Sequence, residues 1–202
     1  MTATAPDQDA PPPDWGEAVV GAVLCGGRST RFGSDKALAP FGSSTVGDRV
    51  VAALRGAGVD PVAAIGGTAG DRLGLPTIAD RRPGEGPLAG LATALAWVRT
   101  GWVVVVPCDL PLLEPAHVAA LLSLGPEPDR PIVATVDGRP KVSLAVWPAS
   151  CGRVARRLLD NEERRFRAML DEVAWRGVEV PPEAVADADT PDELDRLQAG
   201  GG

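Results

Sequence analysis

A doubly wound α/β fold, with a mostly parallel sheet and helices on both faces, is the architecture this sequence predicts, and three observations predict it. Strand-like and helix-like segments alternate through the first two thirds of the 202 residues, the order expected of parallel strands joined by crossover helices. Two of the strand-like segments, "EAVVGAVLC" and "GWVVVVPCD", are continuous apolar runs, as in strands buried on both faces. Distinctive polar and glycine positions fall where those strands end: the Cys25–Lys36 loop, Gly66-Gly67, Asp80 and Asp109. Sheets of this kind bind ligands beyond their carboxyl edge.

The elements follow in order. Residues 1–16 are polar and rich in Pro and Asp, a composition that predicts a disordered tail. "EAVVGAVLC" is the first strand. "STVGDRVVAALRGAG" has helical spacing and stops at glycine. "DPVAAIGG" and "LPTIAD" read as short strands. "GPLAGLATALAWVRT" reads as a helix that tolerates Pro87 in its first turn. "GWVVVVPCD" is the strongest strand, and "EPAHVAALLSL" a helix. "RPIVATVDG" and "RPKVSLAVWP" are two strands joined around Asp137-Gly138. Helical segments follow at about 149–160 and 164–172, then a strand near "WRGVEV". "DTPDELDRLQ" closes the chain as a capped helix, with Thr190 or Asp189 at its N-cap, Pro191 next and Glu193 in the first turn. The expected organisation is a tail over 1–16, one domain over 17–198 and a flexible end over 199–202.

Composition narrows the function. Hydrophobic residues are 45% of the chain and aromatics 4%, so the core is aliphatic. Lys and Arg total 20 against 27 Asp and Glu, a net charge of −7. Nothing in that balance favours nucleic acid, so an anionic ligand must be met by a local cluster. No apolar run reaches the roughly 18 residues of a membrane span, and the first fifteen residues lack the basic start and apolar centre of a secretory signal. Cys25, Cys108 and Cys151 form no C-x-x-C pair, which argues against a disulfide framework or a zinc site and for a reducing cytoplasm.

One such cluster is present. "AVVGAVLCGGRSTRFGSDKAL" runs from an apolar strand into Gly26 and Gly27, then Arg28, Arg31 and Lys36. Its spacing is neither that of the P-loop nor that of the dinucleotide fingerprint. Glycines let backbone N–H groups approach a phosphate, and the cations add charge, Arg as a fork and Lys as a point. Asp109, reached from four valines through Pro107 and Cys108, suits either a Mg²⁺ ion held with phosphate oxygens or a turn. Asp80 suits either a ligand N–H or a turn. Gly86 opens a segment of small residues that admits a flat base or packs a helix on the sheet. His117 is the only histidine and falls inside an amphipathic helix, so Ser–His–Asp and Cys–His mechanisms lack support. Transfer of a nucleotidyl group to a phosphate monoester needs no strong base, because the attacking oxygen is already anionic. The protein then aligns reactants and neutralises charge.

"VLCGGRSTRFGSDKAL" resembles the pattern L-A-G-G-x-S-x-R-[MF]-G-x-D-K of small nucleotidyltransferases, and "GPLAGLATAL", "VPCDLPLL" and "VADADTPDEL" follow in that family's order. The set, over residues 17–198, is similar to the molybdenum cofactor guanylyltransferases, the MobA family. The resemblance implies a Rossmann-like, Mg²⁺-using enzyme that joins GMP from GTP to the phosphate of molybdopterin, with a molybdenum insertase or an apo-molybdoenzyme as partner. It implies that Leu24, Cys25 and Gly26 contact GTP through their backbone, with Gly27, Arg28, Gly66 and Gly86 also in the nucleotide site. Lys36 meets the phosphates, Asp80 the guanine edge, and Asp109 the metal; Arg28, Lys36 and Asp109 are the catalytic candidates. Asp187 and Asp189 stand on the pterin side where the family often has Asn, and Lys141 stands where it often has His or Gln. These three are the acceptor candidates. Two alternatives remain open: a CTP-dependent cytidylyltransferase on molybdopterin or another phosphate-bearing acceptor, and a nucleotide-binding module without catalysis.

Overall fold

The computed structural model describes Trp15, residues 19–26 and residues 35–200. Strand β1 (Val19–Leu24) is followed by a single 3-10 turn at Lys36–Leu38, the short β2 (Pro40–Phe41) and β3 (Ser44–Thr45), and helix α1 (Val46–Gly56). Then come β4 (Val62–Ile65), β5 (Thr77–Ile78), α2 (Pro87–Val98), β6 (Trp102–Pro107) and α3 (Pro115–Leu122). The second part holds β7 (Ile132–Val136), β8 (Arg139–Pro148), α4 (Gly152–Asp160), α5 (Met169–Glu172), β9 (Arg176–Glu179) and α6 (Pro191–Gly200). Among the described residues no helix is long and apolar enough to cross a membrane.

Seven strands form one sheet in the order β5-β4-β1-β6-β8-β7-β9. All run the same way except β8, which is antiparallel to both β6 and β7. The chain leaves β1 for β4 on one side and later returns to place β6 on the other. The switch point of the sheet therefore lies between β1 and β6, where a crevice opens at the carboxyl edge.

Period-two alternation places the core on both faces. Val104 and Val106 face α1 and α3 with Leu54 and Leu121. Val103 and Val105 face α2 and α4 with Leu91 and Ala155. All four valines are fully buried, each contributing about 1.5–3 kcal/mol relative to exposure. Helix α1 starts at a capping box: the Thr45 hydroxyl accepts from the Asp48 N–H, and the Asp48 carboxylate accepts from the Thr45 N–H. The reversal into β8 is a two-residue hairpin at Asp137 (φ 50°) and Gly138 (φ 69°), the backbone that Asp-Gly favours.

Two small features depart from the sequence expectations. Trp15, within the segment assigned to the tail, sits edge-on against Trp102 with ring centroids 5.2 Å apart. Helix α6 continues to Gly200, because Leu194 is anchored in a third cluster with Ala39, Phe41, Val46 and Ala188. That cluster ties the end of the chain to the segment just after β1.

Candidate functional site

Three strand ends meet at the carboxyl edge of β1. The Cys25 N–H donates to the Ile65 carbonyl (3.0 Å), and the Gly66 N–H to the Ile78 carbonyl (2.9 Å). Gly67 has φ +65°, and a Cβ there would lie 2.3 Å from the Cys25 carbonyl oxygen. Only glycine allows β4 to turn this close to β1. Gly66 packs on Gly26, and Gly26 in turn faces Asp80: a Cβ on Gly26 would lie 4.0 Å from Asp80 Oδ2.

Asp80 is held from one side. Its Oδ1 accepts from the Arg82 N–H (3.0 Å) and from the Thr93 hydroxyl (3.1 Å), and Thr93 accepts from the Arg81 N–H (3.2 Å). The other oxygen is turned toward Gly26. Thr93 is buried in α2 and positions this carboxylate. Sequence reasoning missed it, because nothing local marks a helical threonine as the partner of a residue thirteen positions earlier.

The charged centre lies across β1. Lys36 opens its 3-10 turn because Asp35 caps it, Asp35 Oδ1 accepting from the Ala37 N–H (3.1 Å). The turn aims Lys36 Nζ at Asp109 Oδ2 (3.5 Å) and at Asp189 Oδ1. Side-chain exposures of 17%, 20% and 52% for Lys36, Asp109 and Asp189 show a pair sunk below the rim with one partner on it. Asp109 is fixed by the strand before it and by its own carbonyl, which accepts from the Ala188 N–H (3.3 Å). Burial raises the pKa of Asp109, and the charge of Asp187 raises it further, against the opposing pull of Lys36. Burial also works against the Lys36 ammonium, but the hydrogen bond to Asp189 and the charges of Asp109 and Asp189 prevail and hold its pKa above the ordinary value.

The remaining sequence-predicted residues divide clearly. Leu24, Cys25, Gly26, Gly66 and Asp80 meet at one wall; Lys36, Asp109, Asp187 and Asp189 form the other. Gly27, Arg28 and Arg31 lie outside the described residues. Gly86 caps α2 with φ +84° against the Arg164 carbonyl, and a Cβ on Gly90 would lie 3.2 Å from Leu24 Cδ2, so these small residues pack against the protein. Lys141 is exposed on β8. Its strand stops pairing with β6 at Ala145, and a bulge between Ala145 and Lys141 leaves Lys141 opposite Ala134 of β7. His117 is used locally: its Nδ1 accepts from the Glu114 N–H (3.1 Å) at the start of α3.

The neighbouring Cys25 thiol, together with burial, pushes the Cys108 pKa well up. Among the described residues, no three His, Cys, Asp or Glu side chains form a group able to hold a metal. A cation at Asp109 would therefore need oxygens from a ligand. The arrangement can thus seat an anionic ligand over glycine backbone, read a polar edge with Asp80, and balance charge with Lys36 and Asp109.

Comparison with known proteins agrees with this geometry. Residues 21–175 match the model of the MobA-like NTP transferase domain. The chain is 32% identical to a "Probable molybdenum cofactor guanylyltransferase" of Opitutus terrae, over 89% of this chain and 94% of that one. It is 39% identical to the protein of the same name from Carboxydothermus hydrogenoformans, where the match spans about half of each, 50% and 51%. In fold it is similar to the molybdopterin-guanine dinucleotide biosynthesis protein A of Archaeoglobus fulgidus, with a TM-score of 0.72 at 20% identity, covering 90% of this chain and 97% of that one.

Proposed function

The chain belongs to the MobA-like NTP transferase family, and from that premise we propose that it transfers GMP from GTP to the phosphate of molybdopterin. An oxygen of the acceptor phosphate bonds to the α-phosphorus of GTP as the bond from that phosphorus to the bridging oxygen breaks. Pyrophosphate leaves with the electron pair. The observation that carries the reading is Lys36 held against Asp109 at the switch point, opposite the glycine-lined wall that ends in Asp80.

Each residue has a part in this reading. The backbone of Leu24, Cys25, Gly26 and Gly66 borders the nucleotide, and Asp80 Oδ2 accepts from the guanine N1–H and N2–H₂. Lys36 neutralises charge on the phosphates, together with Arg28 from the loop. Its contacts with Asp109 and Asp189 hold the ammonium in place until the nucleotide arrives. Lys141, Asp187 and Asp189 border the acceptor.

Mg²⁺ fits the donor set, since it commonly takes one or two carboxylates and completes its shell with phosphate and water. Asp109 would hold it, with Asp187 close enough to add charge. When bound, the ion supplies charge neutralisation on the triphosphate and the leaving pyrophosphate. In this reading the enzyme works in the cytoplasm, and its product passes to a molybdenum insertase or an apo-molybdoenzyme.

The test is thermal stability with GTP, CTP, ATP and UTP, each with and without Mg²⁺. A ligand at 100 times its dissociation constant adds about 2.7 kcal/mol. A selective shift with GTP supports the proposal, and a selective shift with CTP replaces it by the cytidylyl reaction. No shift with any nucleotide removes the nucleotide site. Asp109→Ala then separates an enzyme from a binding module: the enzyme loses turnover, and full turnover in the variant removes Asp109 from the mechanism.

A further inference from the structure

Toward the other end of the strands a cleft of about 730 Å³ is lined by Arg99, Arg153 and Arg156, with Asp129 and Trp102, and by Arg81, which enters it from the turn after Asp80. Trp102 begins β6 and Asp109 follows its end. Seven residues of extended chain separate them, about 20 Å at the rise of a strand. In a chain of net charge −7, a cleft that gathers four arginines and one aspartate reverses the local sign.

These arginines are also unspent. Arg82, Arg130, Arg157 and Arg165 each pair with a carboxylate, whereas the guanidinium groups of Arg81, Arg99, Arg153 and Arg156 have no hydrogen bond or ion pair among the described residues. Arg153 and Arg156 lie in the first turns of α4, whose N-cap, Cys151, provides no side-chain cap.

Arg99 adds an independent observation. Its φ of 62° and ψ of −46°, with the Thr100 N–H donating to the Val98 carbonyl (2.7 Å), make it the centre of a γ-turn of the rare, strained form. Glycine would take this backbone without penalty. An arginine there turns its side chain to the cleft instead.

We propose that this cleft is a second anion site, taking a small polyanion with two or more phosphate groups, separate from the site at Asp109. Arginine forks match phosphate oxygens in pairs. The volume exceeds that of one phosphate and falls in the range of ligand pockets. The wall at Trp102 and the prolines beside it suit an uncharged portion of such a ligand.

Inorganic tripolyphosphate, titrated calorimetrically without divalent metal, tests this. The Lys36→Ala chain is the starting protein, so that the nucleotide site contributes little. Binding should persist there and weaken tenfold or more when Arg153→Ala and Arg156→Ala are added, with a shallower dependence on salt. Both side chains are exposed, and Arg153→Gln alone provides a milder variant. Arg99→Gly should raise the melting temperature and still weaken binding. Absence of binding at millimolar tripolyphosphate, binding unchanged by the arginine variants, or an Arg99→Gly chain with unaltered affinity would each overturn the proposal. None of these outcomes bears on GTP selectivity at Asp109, which is measured separately.

Discussion

Burial raises the pKa of Asp109 even with the Lys36 ammonium beside it, so at neutral pH the folded chain holds this carboxylate ionised against a penalty. Asp109→Asn removes the penalty along with the charge. Its melting temperature should equal or exceed that of the parent, while pyrophosphate release falls about 100-fold or more, as when a single charge-stabilising group is lost elsewhere. Lys36→Ala should have the opposite sign in stability, losing up to about 1 kcal/mol, because Asp109 is left without its cation. Equal stabilities of the two variants in urea would refute this account of the pair. Cys151 provides the pH dependence. Burial, with the charge of Asp129, pushes its thiol up to about 12, against roughly 8.5 in an unfolded chain. Between those values the folded form keeps a proton the unfolded form has lost, so stability falls as pH rises from about 9 toward 12. The sequence has no tyrosine, which leaves this range to thiols and lysines. Cys151→Ala should flatten the slope, read as the change in urea midpoint between pH 7.5 and pH 10.

Among the elements, the turn after β4 has the least tolerance. Gly67→Ala meets both a positive φ and the Cys25 carbonyl, whereas Gly74 has the same positive φ (63°) with open space around it. Gly74→Ala should cost about 1–2 kcal/mol, and Gly67→Ala should cost at least about 2 kcal/mol more by urea unfolding, with nucleotide affinity lost. Much of this layer can be read locally. The valines of β6 and the Asp-Gly hairpin are short-range signals, and each lies where pattern reasoning puts it. The antiparallel insertion of β8 between β6 and β7 is different. It depends on Val105 pairing with Ala145, a contact forty residues long that only the burial of both faces decides. The site divides in the same way. Asp80 and Asp109 are visible as polar residues at the ends of apolar strands. Thr93 beneath Asp80, and Asp189 reaching Lys36 across 153 positions, are products of packing. The segment at Gly90 could have faced a ligand or the sheet, and the Leu24 side chain took the space.

For the molecule as a whole, the sheet separates two clusters of opposite design: a lysine among carboxylates at one edge, and arginines around one aspartate at the other. About 20 Å is two Debye lengths or more at physiological salt, so variants in the two should act independently. Lys36→Ala combined with Arg153→Ala should change stability by the sum of the single effects within about 0.5 kcal/mol; a larger coupling in urea denaturation would mean that the sheet transmits strain between its edges. The order of assembly has a different consequence. All seven strands are in place by Glu179, while Asp187 and Asp189 come later, on the segment that α6 pins beneath Phe41. A ribosome making this chain therefore delivers the strands before it delivers Asp187 and Asp189, and the charged centre is complete only after both have been made. A chain cut after Val180 should keep the sheet but lack Asp187 and Asp189, and a separate peptide spanning residues 181–200 is the natural candidate to restore the centre, read as recovery of nucleotide-induced thermal stabilisation.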